Sequence, residues 1–224
     1  QRSPAMLIAT LAAVLLAAQA TAAQSPIRRL PDGKPDISGY YMADAGGANY
    51  GLEKRAQEVL IPASRGHIID PPDGNLPYQP WAEAEQLSRL QPHRGYDDPT
   101  AHCFVGGVPR SMYVPAPHHI LQPPGHVVIL FERMSWRTIP LDGRAHLPDS
   151  IRLWQGDSVG RWEGDTLVVE PRNLTGKTWL NEYGDVVSHA QTVVEHFIPV
   201  DADNITYRAT VTDPLVYTRP WTIE

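Results

Sequence analysis

The sequence predicts an all-β protein: an antiparallel meander closed as a barrel or sandwich, lipocalin-like, with an extended Pro/Gly-rich N-terminal arm and one short helix. Three observations carry this. The C-terminal half holds β-branched and aromatic runs of strand length, paired around Asp, Gly and Ala turn residues. The segment before residue 80 is broken repeatedly by Pro and Gly. Little helical periodicity remains to cover a sheet, so closure of the sheet on itself is the route to a buried apolar face.

Taken in order, the first element is a leader. Residues 6–18 read MLIATLAAVLLAA, and Ala20-Thr21-Ala22 fits a small-residue cleavage site. The run is shorter than the ~20 residues of a membrane span, which predicts a signal peptide over 1–22 and an exported chain, secreted or periplasmic. No later segment is apolar enough to span a membrane. Residues 23–79 form the arm, with SPIRRLPDGKPD, ADAGGANYG and IDPPDGNLP opposing regular ladders. One short helix is read within it at 52–60. A firmer helix follows at 81–90, with Pro80 at its start, Glu83 and Glu85 in its N-terminal half and Pro92 as its stop. Trp81, Ala84 and Leu87 share the face expected to pack.

Strands then dominate a β-rich domain over 80–224. The run 126–133 (HVVILFER) is apolar on both faces. Asp142-Gly143 between 137–141 and 144–147 predicts a type I′ hairpin. Glu163-Gly164-Asp165 joins 158–162 to 166–170, and Asp201-Ala202-Asp203 joins 192–200 to 204–212. The expected core is Val127, Ile129, Phe131, Leu167, Val169, Val193, Phe197, Ile205 and Tyr207. The last five residues read as the start of a strand, which predicts a domain truncated at its C-terminus.

Composition excludes several functions. The formal net charge of −6 opposes a nucleic-acid partner. One Cys, Cys103, rules out an internal disulfide and any multi-Cys zinc site, and burial is its expected fate. No cofactor motif is present, and oligomeric state is not legible. Nine His invite a metal, but HExxH and H-x-H are absent. His118-His119 and Glu195-His196 are adjacent, so on strands their side chains point to opposite faces. No metal site is expected.

The strings DPTAHCFVGGVPR, FERMSWRTIPLDGRAHLP, WQGDSVGRWEGDTLVVEP and TVVEHFIPVDADNITYRATVTDPLVYTRPWT, with the opening Pro35-Asp36-Ile37-Ser38-Gly39-Tyr40-Tyr41, carry a resemblance. Over residues 31–224 the chain resembles a large, uncharacterised family of secreted bacterial proteins with PDxSGxW-like, DGRxHP-like and WEGDTLVV motifs. The resemblance implies export and a β-rich fold and brings no catalytic residues. This sequence departs from the pattern at Leu147, between His146 and Pro148, and at Phe104-Val105-Gly106-Gly107, where the family tends to show Pro.

Candidate site residues come from charge beside apolar strands. Gly156-Asp157-Ser158-Val159-Gly160 matches G-x-S-x-G, but a strand follows where a nucleophile elbow needs a helix. Glu132 continues the parity of Val128 and Leu130 and is expected to point inward, held by Arg137 or Arg110. His146 adds a base. Trp154, Trp162 and Trp179 surround the WEGD hairpin and suit pocket walls or core. The leading expectation is an exported β-barrel protein that binds a small, partly apolar ligand. Its rivals are a secreted enzyme with a Glu132, Arg110 and His146 pocket, and a structural or envelope-associated protein docking through its arm.

Overall fold

The computed structural model describes residues 26–57, 62–133 and 135–224. The expected leader lies outside them, as do residues 58–60 of the helix read at 52–60. In chain order the elements are β1 (Gly39–Tyr41), β2 (Lys54–Arg55), β3 (Ser64–Arg65), β4 (Ile68–Asp70), α1 (Pro80–Arg89), α2 (Arg110–Tyr113), β5 (His118–Leu121), β6 (His126–Phe131), β7 (Ser135–Pro140), β8 (Asp157–Glu163), β9 (Thr166–Arg172), β10 (Thr192–Pro199), β11 (Ile205–Thr212) and β12 (Trp221–Ile223). Short 3₁₀ helices fill parts of the connections.

The protein is mostly β, in antiparallel sheets. One sheet has the order β1-β5-β6-β7 and a larger one β4-β12-β11-β10-β9-β8, with a β2-β3 ribbon apart. The β8–β9 and β10–β11 hairpins form where alternation and turn residues place them. No barrel closes among the described residues, because no ladder joins an edge of one sheet to an edge of the other. The two sheets instead share a core. Ile120, Val127, Ile129 and Ile139 from the smaller sheet meet Leu167, Val169 and Phe197 from the larger, all fully buried. Each such side chain contributes about 1.5–3 kcal/mol through removal from water. A second core gathers Leu52, Ala82, Val193, Val211, Tyr217 and Trp221. On β10, Val193 belongs to one core and Phe197 to the other, and Glu195 sits between them on the same face.

The arm is part of this fold. It supplies β1 as the edge of one sheet and β4 as the edge of the other, and Ile37, Ala48, Leu52 and Leu76 enter the cores. Lys54 and Arg55 pair with Arg65 and Ser64, so the described part of 52–60 is strand and turn, not helix.

Other expectations need correction. Residues 144–147 form no strand. The Asp142 carboxylate accepts the Arg144 N–H at 3.2 Å and its guanidinium at 2.7 Å, a local arrangement that occupies the groups a ladder would use. β7 pairs with β6 instead. α1 buries Ala82 and Gln86, while Trp81, Ala84 and Leu87 stay exposed. Ala82 permits close approach, and the Gln86 amide donates to the Tyr183 carbonyl at 2.9 Å. The Trp81 indole donates to the Leu215 carbonyl at 2.9 Å from the surface. Cys103 is exposed, since it ends a 3₁₀ helix (Pro99–His102) with φ of 65° on an outer loop. No described helix is long and apolar enough to cross a membrane.

Glu132 is exposed and, among the described residues, pairs with no Arg; Arg110 and Arg137 take other partners. β6 ends at Phe131 and Glu132 lies in the turn that follows, and the face of β6 that carries Leu130 is itself open. Tyr40, His119, Leu130 and Trp136 lie opposite one another across β1, β5, β6 and β7, and Tyr40 and Trp136 are exposed. A run of apolar residues on both parities therefore does not mean cover on both faces.

Candidate functional site

Arg137 takes the partner that Glu132 does not. The side chain leaves β7 toward the core and forks onto Glu195 of β10, with Nη1 donating to Oε1 at 2.9 Å and Nη2 to Oε2. Nε donates to Ser158 Oγ at 3.0 Å, which assigns the G-x-S-x-G serine a structural contact. The Tyr207 hydroxyl donates to Glu195 Oε1 at 2.8 Å. Both charges are almost wholly buried. Burial works against the Arg137 charge, but the Glu195 carboxylate more than offsets it and raises its pKa. Burial, and then the Glu195 charge, push the Tyr207 phenol well above 10. Tyr207 is thereby fixed as a neutral hydrogen-bond donor.

The other singled-out residues do not converge on it. Arg110 forks onto Asp98 at 2.9 and 2.8 Å and also reaches the Trp179 carbonyl at 3.3 Å. His146 bonds Asp157 at 3.0 Å, both half-buried, and the same oxygen accepts the Leu147 N–H. Trp154 stacks on Phe104 at 4.7 Å, Trp162 packs against the shared core, and Trp179 is buried with Arg89 over its ring. A cavity between the two sheets is lined by none of Arg110, Glu132, Arg137, His146, Trp154, Trp162 or Trp179.

That cavity, of about 530 Å³, lies where β1 and β5 face β10, β11 and β12. Its buried wall is Met112, Tyr113, His118, Ile120, Phe197 and Ile223. Tyr207, locked from behind by Glu195, completes it. Exposed Tyr40, Met42, Asp44, Arg65, Asp203 and Asn204 form the mouth. The size and the mixture of apolar wall with few polar groups match the ~300–1,000 Å³ of small-molecule sites.

His118 is the unusual residue here. It alternates with His119 on β5, so one ring points inward and the other stacks on Tyr40 outside. The inward ring is 6% exposed and lies between Tyr41 and Phe131. Its Nδ1 is buried without a hydrogen-bond partner. Among the described residues, no protein group hydrogen-bonds either ring nitrogen. Burial lowers its pKa to about 4, so the imidazole is neutral at pH 7. Such a ring offers one donor and one acceptor but is a poor general base near neutrality. A buried polar ring left unsatisfied costs about 1–3 kcal/mol, a cost that a ligand hydrogen bond removes.

A second cavity of about 310 Å³ lies beside α1. Arg55 stacks over Tyr183 there at 4.1 Å, and its three guanidinium nitrogens are buried without hydrogen bonds. Among the described residues no group of three or more His, Cys, Asp or Glu is placed to hold a metal.

His118, Tyr41 and Arg55 were not singled out from sequence. The signal for His118 was present: on a strand, adjacent histidines must divide between the two faces. Comparison of the chain with protein-family profiles, with curated proteins and with solved structures returns no match.

Proposed function

We propose that the protein is an exported binder of a small, partly apolar molecule, which it holds between its two sheets rather than within a closed barrel. The observation that carries this is His118: a neutral, buried ring with no hydrogen bond, in the wall of an aromatic and aliphatic cavity. Export rests on the leader pattern at the N-terminus.

An enzymatic reading needs a base and a carboxylate within reach inside one pocket. The His–carboxylate contact among the described residues is His146–Asp157, which lies apart from the cavity. Glu132 is in solvent and Arg110 is committed to Asp98. Binding therefore has the better support.

The test is saturable uptake of the neutral apolar dye 1-N-phenylnaphthylamine, read by fluorescence. One site per chain is expected. Ile120→Trp, which fills the cavity, should abolish uptake while circular dichroism stays native. Uptake unchanged in that variant would move the site elsewhere.

A further inference from the structure

We infer that the ligand of this cavity is a carbonyl compound: an apolar body with a ketone, aldehyde or ester oxygen that accepts a hydrogen bond from the Nε2–H of His118. This rests on the cavity being a binding site and adds the hydrogen-bonding sense of its occupant.

The first ground is the pair of ring nitrogens. Neither has a protein partner among the described residues, but the two are not equivalent. Nδ1 is buried as well as unpaired. Nε2 keeps accessible surface, and the ring that carries it lines the cavity. A neutral imidazole holds its single proton on one nitrogen or the other. A proton on Nδ1 would be an N–H enclosed in the wall, beside the Tyr41 and Phe131 rings, with no group to receive it. On the main chain, buried N–H groups without a partner are rarer than under-used acceptors. The same preference places the His118 proton on Nε2, which is also where neutral histidine favours it in water. The ring therefore turns a donor to the cavity.

The second ground is the rest of the buried wall. Ile120, Phe197 and Ile223 bring no polar side-chain atom. The Tyr113 hydroxyl donates to the Leu180 carbonyl at 2.7 Å, and the Tyr207 hydroxyl to Glu195 at 2.8 Å, so both phenol protons are taken. Nearer the mouth, Arg28 and Asp203 act in opposite directions on the Tyr41 phenol, so the opening carries both signs and sets no preference of charge. Selection falls to the sense of the hydrogen bond at His118. A ligand N–H placed there would meet an N–H, unless the proton moved to Nδ1 and was stranded. An alcohol would bond through its oxygen and leave its own proton in the wall. A carbonyl oxygen completes the contact and brings no donor of its own.

The experiment displaces bound 1-N-phenylnaphthylamine from the full chain with three bicyclic molecules of similar size. 1-Indanone carries an acceptor and no N–H or O–H, indole carries an N–H and no oxygen, and indane carries neither. His118→Phe keeps a ring in the wall and removes both nitrogens, with circular dichroism as the check on folding. From wild type to His118→Phe the ratio of indanone to indane affinity should fall by about three- to tenfold, the worth of one neutral hydrogen bond, and the ratio of indole to indane should not fall. No fall for indanone, or an equal fall for indole, would overturn the inference. Nitrogen-15 NMR of the histidine-labelled wild type, without ligand, reads the tautomer directly. Nε2 protonated and Nδ1 bare is the expected result, and the reverse would overturn the inference without recourse to any variant. Dye binding with unchanged ratios sinks this inference alone, whereas absence of saturable dye binding sinks the cavity reading with it.

Discussion

Replacing Arg137 with Met removes one half of an ion pair whose side chains are 2% and 0% exposed. Glu195 would keep only the Tyr207 hydroxyl, and Ser158 would lose its donor. A carboxylate stranded between two hydrophobic cores costs about 3–5 kcal/mol. For a domain of this size, about 2–4 °C of melting temperature per kcal/mol makes that a fall near 10 °C. The pair itself is worth far less, because taking both charges out of water offsets most of their attraction. Arg137→Met with Glu195→Leu should therefore recover most of the loss, near the wild type or above it. Urea unfolding of the four proteins in a double-mutant cycle measures this, with an unchanged slope confirming that the midpoint reports stability. A loss below about 1 kcal/mol in Arg137→Met, or a double variant as unstable as the sum of the singles, would refute the reasoning.

Stability should fall as pH drops from about 6.5 to about 4, because the unfolded chain takes a proton on His118 in that window and the folded chain, held at about 4, does not. The contribution is complete above 6.5 and amounts to about 3 kcal/mol once lost; melts at pH 7 and 4.5 should show a shallower dependence in His118→Leu, and an identical one would contradict the assignment. Phe197→Ala should cost about 3–5 kcal/mol from its place in the shared core. Glu132→Gln should stay within about 0.5 kcal/mol by denaturant titration, and a large effect would put Glu132 back in the interior. Cys103 should react with a thiol reagent in the native state, one equivalent per chain, and a thiol silent until denaturation would mean it is covered.

The β8–β9 and β10–β11 hairpins were legible because alternation and turn residues are local signals. Core residues followed for the same reason: Val127, Ile129, Leu167, Val169 and Phe197 stand on the inward parity of their strands. What failed was long range. Glu195 finds Arg137 across the space between sheets, so choosing partners by nearness in sequence selected Glu132 wrongly. The β4–β12 ladder has no local signature, and Pro and Gly in the arm concealed two edge strands. The cavity was not legible because it is a space bounded by five strands, and no single run of residues encodes it. His118 was set aside as one of a pair that cannot share a metal, although the same alternation sends it inward and His119 out.

The ladder in which Ile68 lies against Ile223, beside the pairing of Tyr40 with His119, fixes an order of events in time. An N-terminal segment that completes both sheets has nothing to dock on until its partners emerge. β1 must wait for β5, and β4 must wait for β12, the last strand described. Such distant pairings give slow, late closure. During synthesis the hairpins from β6 to β11 can assemble first, while the arm remains extended and two sheet edges stand open to other chains. The mouth of the cavity, built from residues beside β1 and β12, would form only once both of these distant pairings are made.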